Sequence, residues 1–149
     1  MSQAYTNLLT HIVFSTKERR ALIDSEIETG LHAYLGGLVK ELGGKAYIVN
    51  GVSDQIHLLV NLPAKFSVSD AVRFIKANST NFIKRKFGRK FFAWQGGYGA
   101  FSVSKSQVKE VFRYIQIQKE HHRQFDFKTE FEILLKKQEV DYDKKYLWI

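Results

Sequence analysis

The spacing of hydrophobic and polar positions changes along the chain and divides its first half into strands and one helix. Residues 5–15, 45–52 and 55–62 are rich in β-branched and apolar side chains, which is typical of strands. Between the first two, apolar residues recur every three to four positions from 27 to 42, as in a helix. A capping-box pattern at Ser25 and Glu28 predicts the start of this helix, and Gly43 and Gly44 predict its end.

The second half contains more helix. A second capping box at Ser67 and Asp70 opens a helix that runs into a basic cluster. Residues 91–94 and 100–103 are short strand candidates around a glycine-rich segment, a helix is predicted from Ser104 to about 122, and another over 128–138. The order β-α-β-β-α-β-α over residues 1–149 predicts a single α+β domain. We expect a split-βαβ (ferredoxin/RRM-like) fold, an antiparallel sheet with helices packed on it.

Composition excludes several classes of protein. The 149 residues are 44% hydrophobic and 26% charged, so the chain can bury a real core. The absence of cysteine excludes disulfides, zinc-thiolate sites, iron–sulfur clusters and thiol catalysis. The apolar runs are far shorter than a membrane span, and residues 1–5 do not resemble a signal peptide. We therefore expect no membrane association and a cytoplasmic location.

The positive charge is concentrated in one stretch. The net charge is +8, and residues 71–109 contain nine lysines and arginines but no aspartate or glutamate. Such an acid-free basic stretch indicates a polyanionic partner such as nucleic acid. Phe91, Phe92 and Trp94 follow the tightest cluster, and they would either stack on bases or, more commonly for such residues, lie in the core.

Two groups of residues could carry chemistry. In the strand 55–62, alternation places Gln55 and His57 on the same face, with Cα atoms roughly 7 Å apart. Two such donors can converge on one metal ion, although a single strand histidine is more often structural. Tyr114 and Gln118 are four residues apart, on a flank of an apolar helical stripe. That stripe comprises Val108, Val111, Phe112 and Ile115.

Four segments in register resemble one family. Residues 54–60 resemble the histidine–hydrophobic–histidine strand of the HUH single-tyrosine transposases, and residues 114–118 resemble their catalytic-tyrosine helix. Residues 11–20 are similar to the family's first strand and the basic turn after it, and residues 94–103 to the segment before the tyrosine helix. The resemblance covers nearly the whole chain at the family's compact length, so the chain is identified as a single HUH-type transposase domain of the TnpA or REP-associated type.

The resemblance implies a metal-dependent DNA strand-transferase. Tyr114 would be the nucleophile that cleaves single-stranded DNA and forms a covalent 5′-phosphotyrosine. His57 and Gln118 would ligate a magnesium or manganese ion. Gln55 departs from the family pattern, because it occupies the position of the first histidine. Its amide oxygen still suits a hard cation, so we expect activity that is weakened rather than lost.

The resemblance also implies partners: single-stranded DNA hairpins and a second copy of the chain, in which one subunit's tyrosine helix can complete the other's site. The residues expected to contact DNA phosphates are Arg73, Lys76, Lys84, Arg85, Lys86, Arg89 and Lys90, with Lys17, Arg19 and Arg20 as a second patch.

Three alternatives remain open at this stage. The main one is a non-catalytic single-stranded nucleic-acid-binding protein, either RRM-like or a degraded transposase. A replication initiator or relaxase would need a larger chain. A metal-independent structural protein would leave the basic stretch unexplained. Among the other histidines, His11 and His122 are expected to be structural, and His32 and His121 have no assigned role.

Overall fold

A four-stranded antiparallel sheet forms the centre of the protein. In the computed structural model, which describes residues 3–148 without the side chains of His121 and His122, the strands are β1 (Leu9–Ser15), β2 (Lys45–Val52), β3 (Gln55–Asn61) and β4 (Gly99–Ser102). Their order is β2-β3-β1-β4, and every pairing is antiparallel. The split-βαβ fold class predicted from the sequence is confirmed. Met1, Ser2 and Ile149 lie outside the described residues.

Five helices cover the two faces of the sheet. They are α1 (Glu28–Glu41), α2 (Val68–Phe87), α3 (Val108–Gln116), α4 (Gln118–Gln124) and α5 (Phe127–Lys137). Helices α1 and α2 pack on one face, where side chains such as Ile12, Ile56 and Leu58 form the larger core. On the opposite face, Val13 and Phe101 pack against α5 in a smaller core. Within residues 3–148, no helix combines the length and apolarity needed to cross a membrane.

The strand predicted at residues 91–94 is wrong. Only one isolated bridge, between Thr16 and Trp94, is present there. The segment is held by side chains instead: Trp94 is 9% exposed and its indole Nε1 donates to Ser79 Oγ at 2.9 Å, while Phe92 is 2% exposed. Phe91 is 88% exposed. Two of the three aromatic residues therefore belong to the core.

Of the three predicted capping residues, one is confirmed. Ser67 caps α2, because its hydroxyl accepts the backbone N–H of Asp70 at 3.0 Å. The capping box at Ser25 is wrong, since Asp24 Oδ1 accepts the first backbone N–H groups, including that of Ile27 at 3.2 Å. Ser104 makes no side-chain cap, and a single 3-10 turn at Lys105–Gln107 leads into α3.

The helix predicted to run from Ser104 to about 122 is two helices. Ile117 leaves helical geometry, with φ −100° and ψ 25°, and separates α3 from α4. Asn50 of β2 explains the break, because its Nδ2 donates to the carbonyl oxygens of Ile115 at 2.9 Å and Gln116 at 3.1 Å. Of the predicted apolar stripe, only Ile115 is fully buried. Tyr114 and Gln118 therefore lie on different helices.

Candidate active site

The four residues predicted to carry chemistry lie together. They occupy the face of the sheet opposite α1 and α2, where β3 meets α3, α4 and α5. His57 and Gln118 are 0% exposed and Gln55 is 1% exposed, while Tyr114 is half-buried. The alternation along β3 explains this placement, because Ile56 and Leu58 point into the larger core and leave Gln55 and His57 on the other face. The roles of these residues remain predictions.

Gln55 is at the centre of the cluster. Its Nε2 donates to Gln118 Oε1 at 2.9 Å and lies 3.1 Å from His57 Nε2. Its Oε1 is buried without a hydrogen-bond partner among the described residues. A buried amide oxygen that accepts no hydrogen bond is costly, so its environment is incomplete as it stands.

Sequence reasoning missed Glu130, the one carboxylate among these contacts. Its Oε1 accepts from Gln55 Nε2 at 2.7 Å and lies 3.2 Å from His57 Nε2. Its Oε2 accepts from Tyr114 OH at 2.5 Å and from Gln118 Nε2 at 3.2 Å. Burial alone would raise the pKa of Glu130, but the hydrogen bonds from His57, Tyr114 and Gln118 and the electrostatic interaction with His57 lower it to about 2.

The pattern of the last helix contains the signal that would have found Glu130. Phe127, Phe131 and Leu134 form the buried stripe of α5, and Glu130 falls in the same stripe at helical spacing. Its exposed fraction is only 6%. An acidic residue on the apolar side of an amphipathic helix needs buried polar partners, which this cluster provides.

His11 contacts the cluster from β1. Its Nε2 lies 2.9 Å from His57 Nδ1, and the two rings are stacked with centroids 5.2 Å apart. Burial, reinforced by the neighbouring His57, lowers the pKa of His11 to about 3 against the opposing effect of Glu130. A neutral His11 can either donate to or accept from His57, so it fixes the orientation of the His57 ring.

Tyr114 connects the cluster to an open cavity. Its ring lies edge-on to His57, with centroids 5.9 Å apart. Burial and the Glu130 carboxylate raise the pKa of Tyr114, so the hydroxyl is protonated in the structure as it stands. Tyr114 and His11 also line a cavity of about 470 Å³ between α3, α5 and β4. A substrate in this cavity would reach the tyrosine without displacing the sheet.

The predicted DNA-contacting residues of α2 lie away from this cluster. Helix α2 packs on the opposite face of the sheet, and its last turn exposes Lys84, Arg85 and Lys86. Arg89 follows that turn but pairs with Asp24 at 3.0 Å and Glu26 at 2.7 Å. The charge at Arg89 is therefore partly neutralised within the chain, although no acidic residue is near it in the sequence.

Other predicted DNA contacts also have partners within the chain. Lys76 donates to the carbonyl oxygens of Gln95, at 2.9 Å, and Gly97, and burial lowers the pKa of Lys76 to about 8. Three further cations have side-chain partners: Arg73 pairs with Asp70, Arg20 with Glu18, and Arg19 lies over the ring of Trp148. Lys76 therefore organises the loop before β4. The DNA contacts themselves remain predictions.

The cluster fits a hard divalent cation better than a softer ion such as copper or zinc. Within residues 3–148, no group of three His, Cys, Asp or Glu side chains is arranged to hold a metal ion. The donors here are instead the amide oxygens of Gln55 and Gln118 together with one imidazole, His57. Oxygen-rich sets favour magnesium and manganese. The unpartnered Gln55 Oε1 could serve such a cation once the amide is turned over, since Nε2 is the atom that faces Gln118 and His57 here.

Comparisons with known proteins point to one family. A family model described as "Transposase IS200 like" matches residues 4–118. The transposases of insertion sequence element IS200 from Salmonella typhimurium and Salmonella typhi are each 29% identical over 125 residues, which is 78% of this chain and 80% of each relative.

Solved structures show the same fold. A candidate transposase from Deinococcus radiodurans superposes with a TM-score of 0.64 at 22% identity, over 79% of this chain and 96% of that protein. A REP-associated tyrosine transposase bound to a REP hairpin gives a TM-score of 0.61 at 15% identity, over 82% of this chain and 73% of that protein.

Proposed function

This chain belongs to the IS200-like transposase family, and we propose that it cleaves and rejoins single-stranded DNA through a covalent 5′-phosphotyrosine at Tyr114. One observation supports this most directly. The Tyr114 hydroxyl lies in one buried polar cluster with His57, Gln55 and Gln118, and the same side chain lines an open cavity. A nucleophile needs access to substrate, which the cavity offers, and activation, which the cluster would provide by holding a cation beside Tyr114.

The proposed step exchanges one phosphoester for another. The Tyr114 hydroxyl releases its proton to solvent as the phenolic oxygen attacks the phosphorus of a phosphodiester. A tyrosyl–phosphate bond forms, and the bond from phosphorus to the 3′ oxygen breaks. The leaving 3′ oxygen takes up a proton and becomes a free 3′-hydroxyl. A later attack by a 3′-hydroxyl reverses the reaction, so strands are rejoined without ATP.

Tyr114 requires activation, because an unperturbed phenol has a pKa of about 10 and here burial raises it further. We propose that His57, Gln118 and Gln55 hold a magnesium or manganese ion. When bound, such an ion supplies positive charge that stabilises the phenolate and the developing charge on the phosphoryl oxygens. His57 and Gln118 contribute neutral donors, so their part is to position the charge rather than to carry it.

We propose hairpin-forming single-stranded DNA as the substrate. The family membership supports this, and the REP-associated tyrosine transposase of similar fold was solved with a REP hairpin. The exposed cations at the end of α2 are the proposed phosphate contacts. A homodimer remains a prediction; in this structure Tyr114 reaches His57 of its own chain, so the cluster forms within one subunit.

The test is a denaturing-gel assay for a covalent protein–DNA adduct. Single-stranded hairpin oligonucleotides from the flanks of the gene, labelled on the 3′ side, are incubated with the protein and manganese or magnesium. The wild type should give a shifted band that retains the label. Tyr114→Phe should bind the same oligonucleotides and give no band, because the ring remains and only the nucleophilic oxygen is removed.

The matched control is Tyr5→Phe, since Tyr5 is 88% exposed and precedes β1. It should form the adduct at the wild-type rate. An adduct that persists in Tyr114→Phe would place the nucleophile on another residue. Tight, salt-sensitive binding by the wild type without any adduct would contradict strand transfer.

That last outcome would favour the second candidate, a non-catalytic single-stranded DNA-binding protein. The observation in its favour is Gln55, which leaves His57 as the one imidazole in the proposed ligand set. An RRM-like use of the sheet is disfavoured, because the central strands carry His11, Gln55 and His57 on this face and are covered by helices. Nucleic acid would then bind at the helix surfaces.

A further inference from the structure

We infer that Glu130 is the anionic ligand of the divalent cation in this chain, supplying through α5 the negative charge that Gln55, His57 and Gln118 lack. The inference rests on the proposed function, since it concerns the same metal site. Residue 130 lies beyond residues 4–118, the segment that matches the family. Nothing in the family resemblance placed Glu130 in the site; its position comes from the fold of α5.

Three lone-pair donors converge on one point in the cluster. Gln55 Nε2 lies 2.9 Å from Gln118 Oε1, 2.7 Å from Glu130 Oε1 and 3.1 Å from His57 Nε2. The amide nitrogen carries two hydrogens, and the Gln118 and Glu130 oxygens take up both of them. Its own Oε1 meanwhile has no partner within the described part of the chain. The amide group therefore partly fills a position for which a cation is better suited.

The Gln55 side-chain amide could also be turned over, so that its oxygen and nitrogen exchange places, but this creates repulsion between oxygen atoms. Its oxygen would then face Gln118 Oε1 and Glu130 Oε1, and three oxygens without hydrogens between them repel one another. A divalent cation among these oxygens removes the repulsion and satisfies all of them together. The same arrangement uses His57 through Nε2, while Nδ1 donates to His11 Nε2, at the observed separation of 2.9 Å.

Charge balance also requires an anion at this position. Gln55, His57 and Gln118 are neutral donors and are at most 1% exposed. Two positive charges surrounded only by neutral groups in so buried a site would be strongly unfavourable. Glu130 contributes one negative charge, and a DNA phosphate would contribute the other. The two carboxylate oxygens have different partners. Oε1 lies next to Gln55 at 2.7 Å, and Oε2 accepts the hydrogen bond of the Tyr114 hydroxyl at 2.5 Å.

The position of Glu130 is fixed by packing. Asp126 caps α5 by accepting the backbone N–H of Thr129 at 2.9 Å, which sets where the helix begins. Phe127 and Phe131 are 1% and 6% exposed and set its rotation. A ligand held by a capped, packed helix loses little entropy on binding, so the site is largely preformed.

The experiment measures manganese binding to the intact protein by isothermal titration calorimetry, with manganese EPR as a second readout and no DNA present. The wild type should bind one ion. Glu130→Gln should weaken binding by at least about tenfold, since even the loss of an outer-shell partner typically costs that much. Glu132→Gln is the matched control, because it removes the same charge from the same helix at a residue that contacts Lys144.

A second variant keeps the test decisive if Glu130→Gln is poorly folded, which circular dichroism and thermal unfolding will reveal. Glu130→Asp keeps the negative charge in the buried cluster but shortens the side chain by one methylene, so it should fold and should still weaken manganese binding. Manganese binding that Glu130→Gln leaves within twofold of wild type, or makes tighter, would overturn the inference. So would a failure of the wild type to bind manganese.

These outcomes separate the inference from the proposed function. Loss of binding in His57→Ala but not in Glu130→Gln would remove Glu130 from the ligand set and leave the metal site intact. Glu130-dependent manganese binding without any covalent DNA adduct would support the ligand and contradict strand transfer.

Discussion

The orientation of the His57 ring depends on a single neighbour from another strand. His11 on β1 faces His57 on β3 because both point to the side of the sheet away from α1 and α2, and their ring nitrogens lie 2.9 Å apart. A histidine that ligates through Nε2 is most effective when Nδ1 donates to a fixed acceptor. His11 is therefore a positioning residue for the proposed metal site, although it contributes no ligand itself.

We predict that His11→Ala weakens manganese binding by about tenfold while the protein remains folded. The His57 ring loses the group that holds its Nδ1, so a larger fraction of rotamers cannot ligate. Calorimetry measures the affinity, and a thermal melt checks the fold. The control is His32→Ala on α1, the helix on the other face of the sheet, which should bind manganese as the wild type does. Equal losses in both variants would contradict a local effect of His11.

At the scale of residues, alternation along a strand could be predicted and long-range contact could not. Gln55 and His57 share a face in any extended strand, so their pairing followed from the sequence. Glu130 is 75 positions from Gln55 along the chain, and only the packing of α5 joins them at 2.7 Å. Its place in the apolar stripe of α5 indicated burial. It did not indicate with which polar group Glu130 would be buried.

At the scale of elements, hydrogen bonds from other elements decide where helices end. The apolar spacing after Ser104 is continuous and predicts one helix, yet Asn50 draws the carbonyl oxygens of Ile115 and Gln116 out of the helical ladder. Such a bond from a neighbouring strand has no local signature in the sequence. The helix after Ser67 started as predicted because its cap is local.

Helix α1 contains a glycine, Gly37, at a position where a larger residue would fit. Gly37 lies in the third turn, is exposed, and has no atom within 4 Å of the position that a Cβ would occupy. We predict that Gly37→Ala raises the free energy of unfolding by about 0.5–1 kcal/mol, because alanine loses less backbone entropy in a helix. Urea denaturation followed by circular dichroism measures the change, and an unchanged or lower stability would contradict it.

Gly51 is the opposite case, because it has no room for a Cβ. A Cβ at this position of β2 would lie 2.1 Å from the carbonyl oxygen of Gln55, which is backbone and cannot turn aside. Gly51→Ala should therefore lower the stability by roughly 1–3 kcal/mol, the usual cost of overpacking. Because the displaced residue is Gln55, the same variant should also weaken manganese binding.

At the scale of the whole molecule, the sheet separates the exposed basic end of α2 from the tyrosine cluster. The sequence predicted both features and the split-βαβ fold, but their placement on opposite faces needed the structure. A DNA strand that contacts Lys86 and reaches Tyr114 must pass an edge of the sheet. From the sequence alone, all of these basic residues were expected to contact DNA in the same way, whereas in the fold some of them pair with acidic residues.

The difference between exposed and paired basic residues can be measured from the salt dependence of DNA binding. Lys86 is exposed at the end of α2, whereas Arg89 pairs with Asp24 and Glu26. We predict that Lys86→Ala lowers the slope of log affinity against log salt concentration by about 0.7, the value for one phosphate contact on a single strand. Arg89→Ala should change it less, because the arginine charge is already partly neutralised. Fluorescence anisotropy with hairpin oligonucleotides over a range of salt gives both slopes, and the reverse order would contradict the prediction.

The position of Glu130 on the last packed helix has a genetic consequence. A stop codon anywhere from residue 119 to residue 130 would leave the segment matching the family, residues 4–118, fully translated. The product would nevertheless lack the carboxylate beside Tyr114, together with Phe131 and the rest of α5 after it, which pack with Val13 and Phe101. Gene copies shortened in this way would still match the family over residues 4–118, as the full-length copy does. They would nevertheless encode a protein whose site is open and lacks the carboxylate. For this chain, the reading frame has to be checked through codon 130 before a copy is counted as functional.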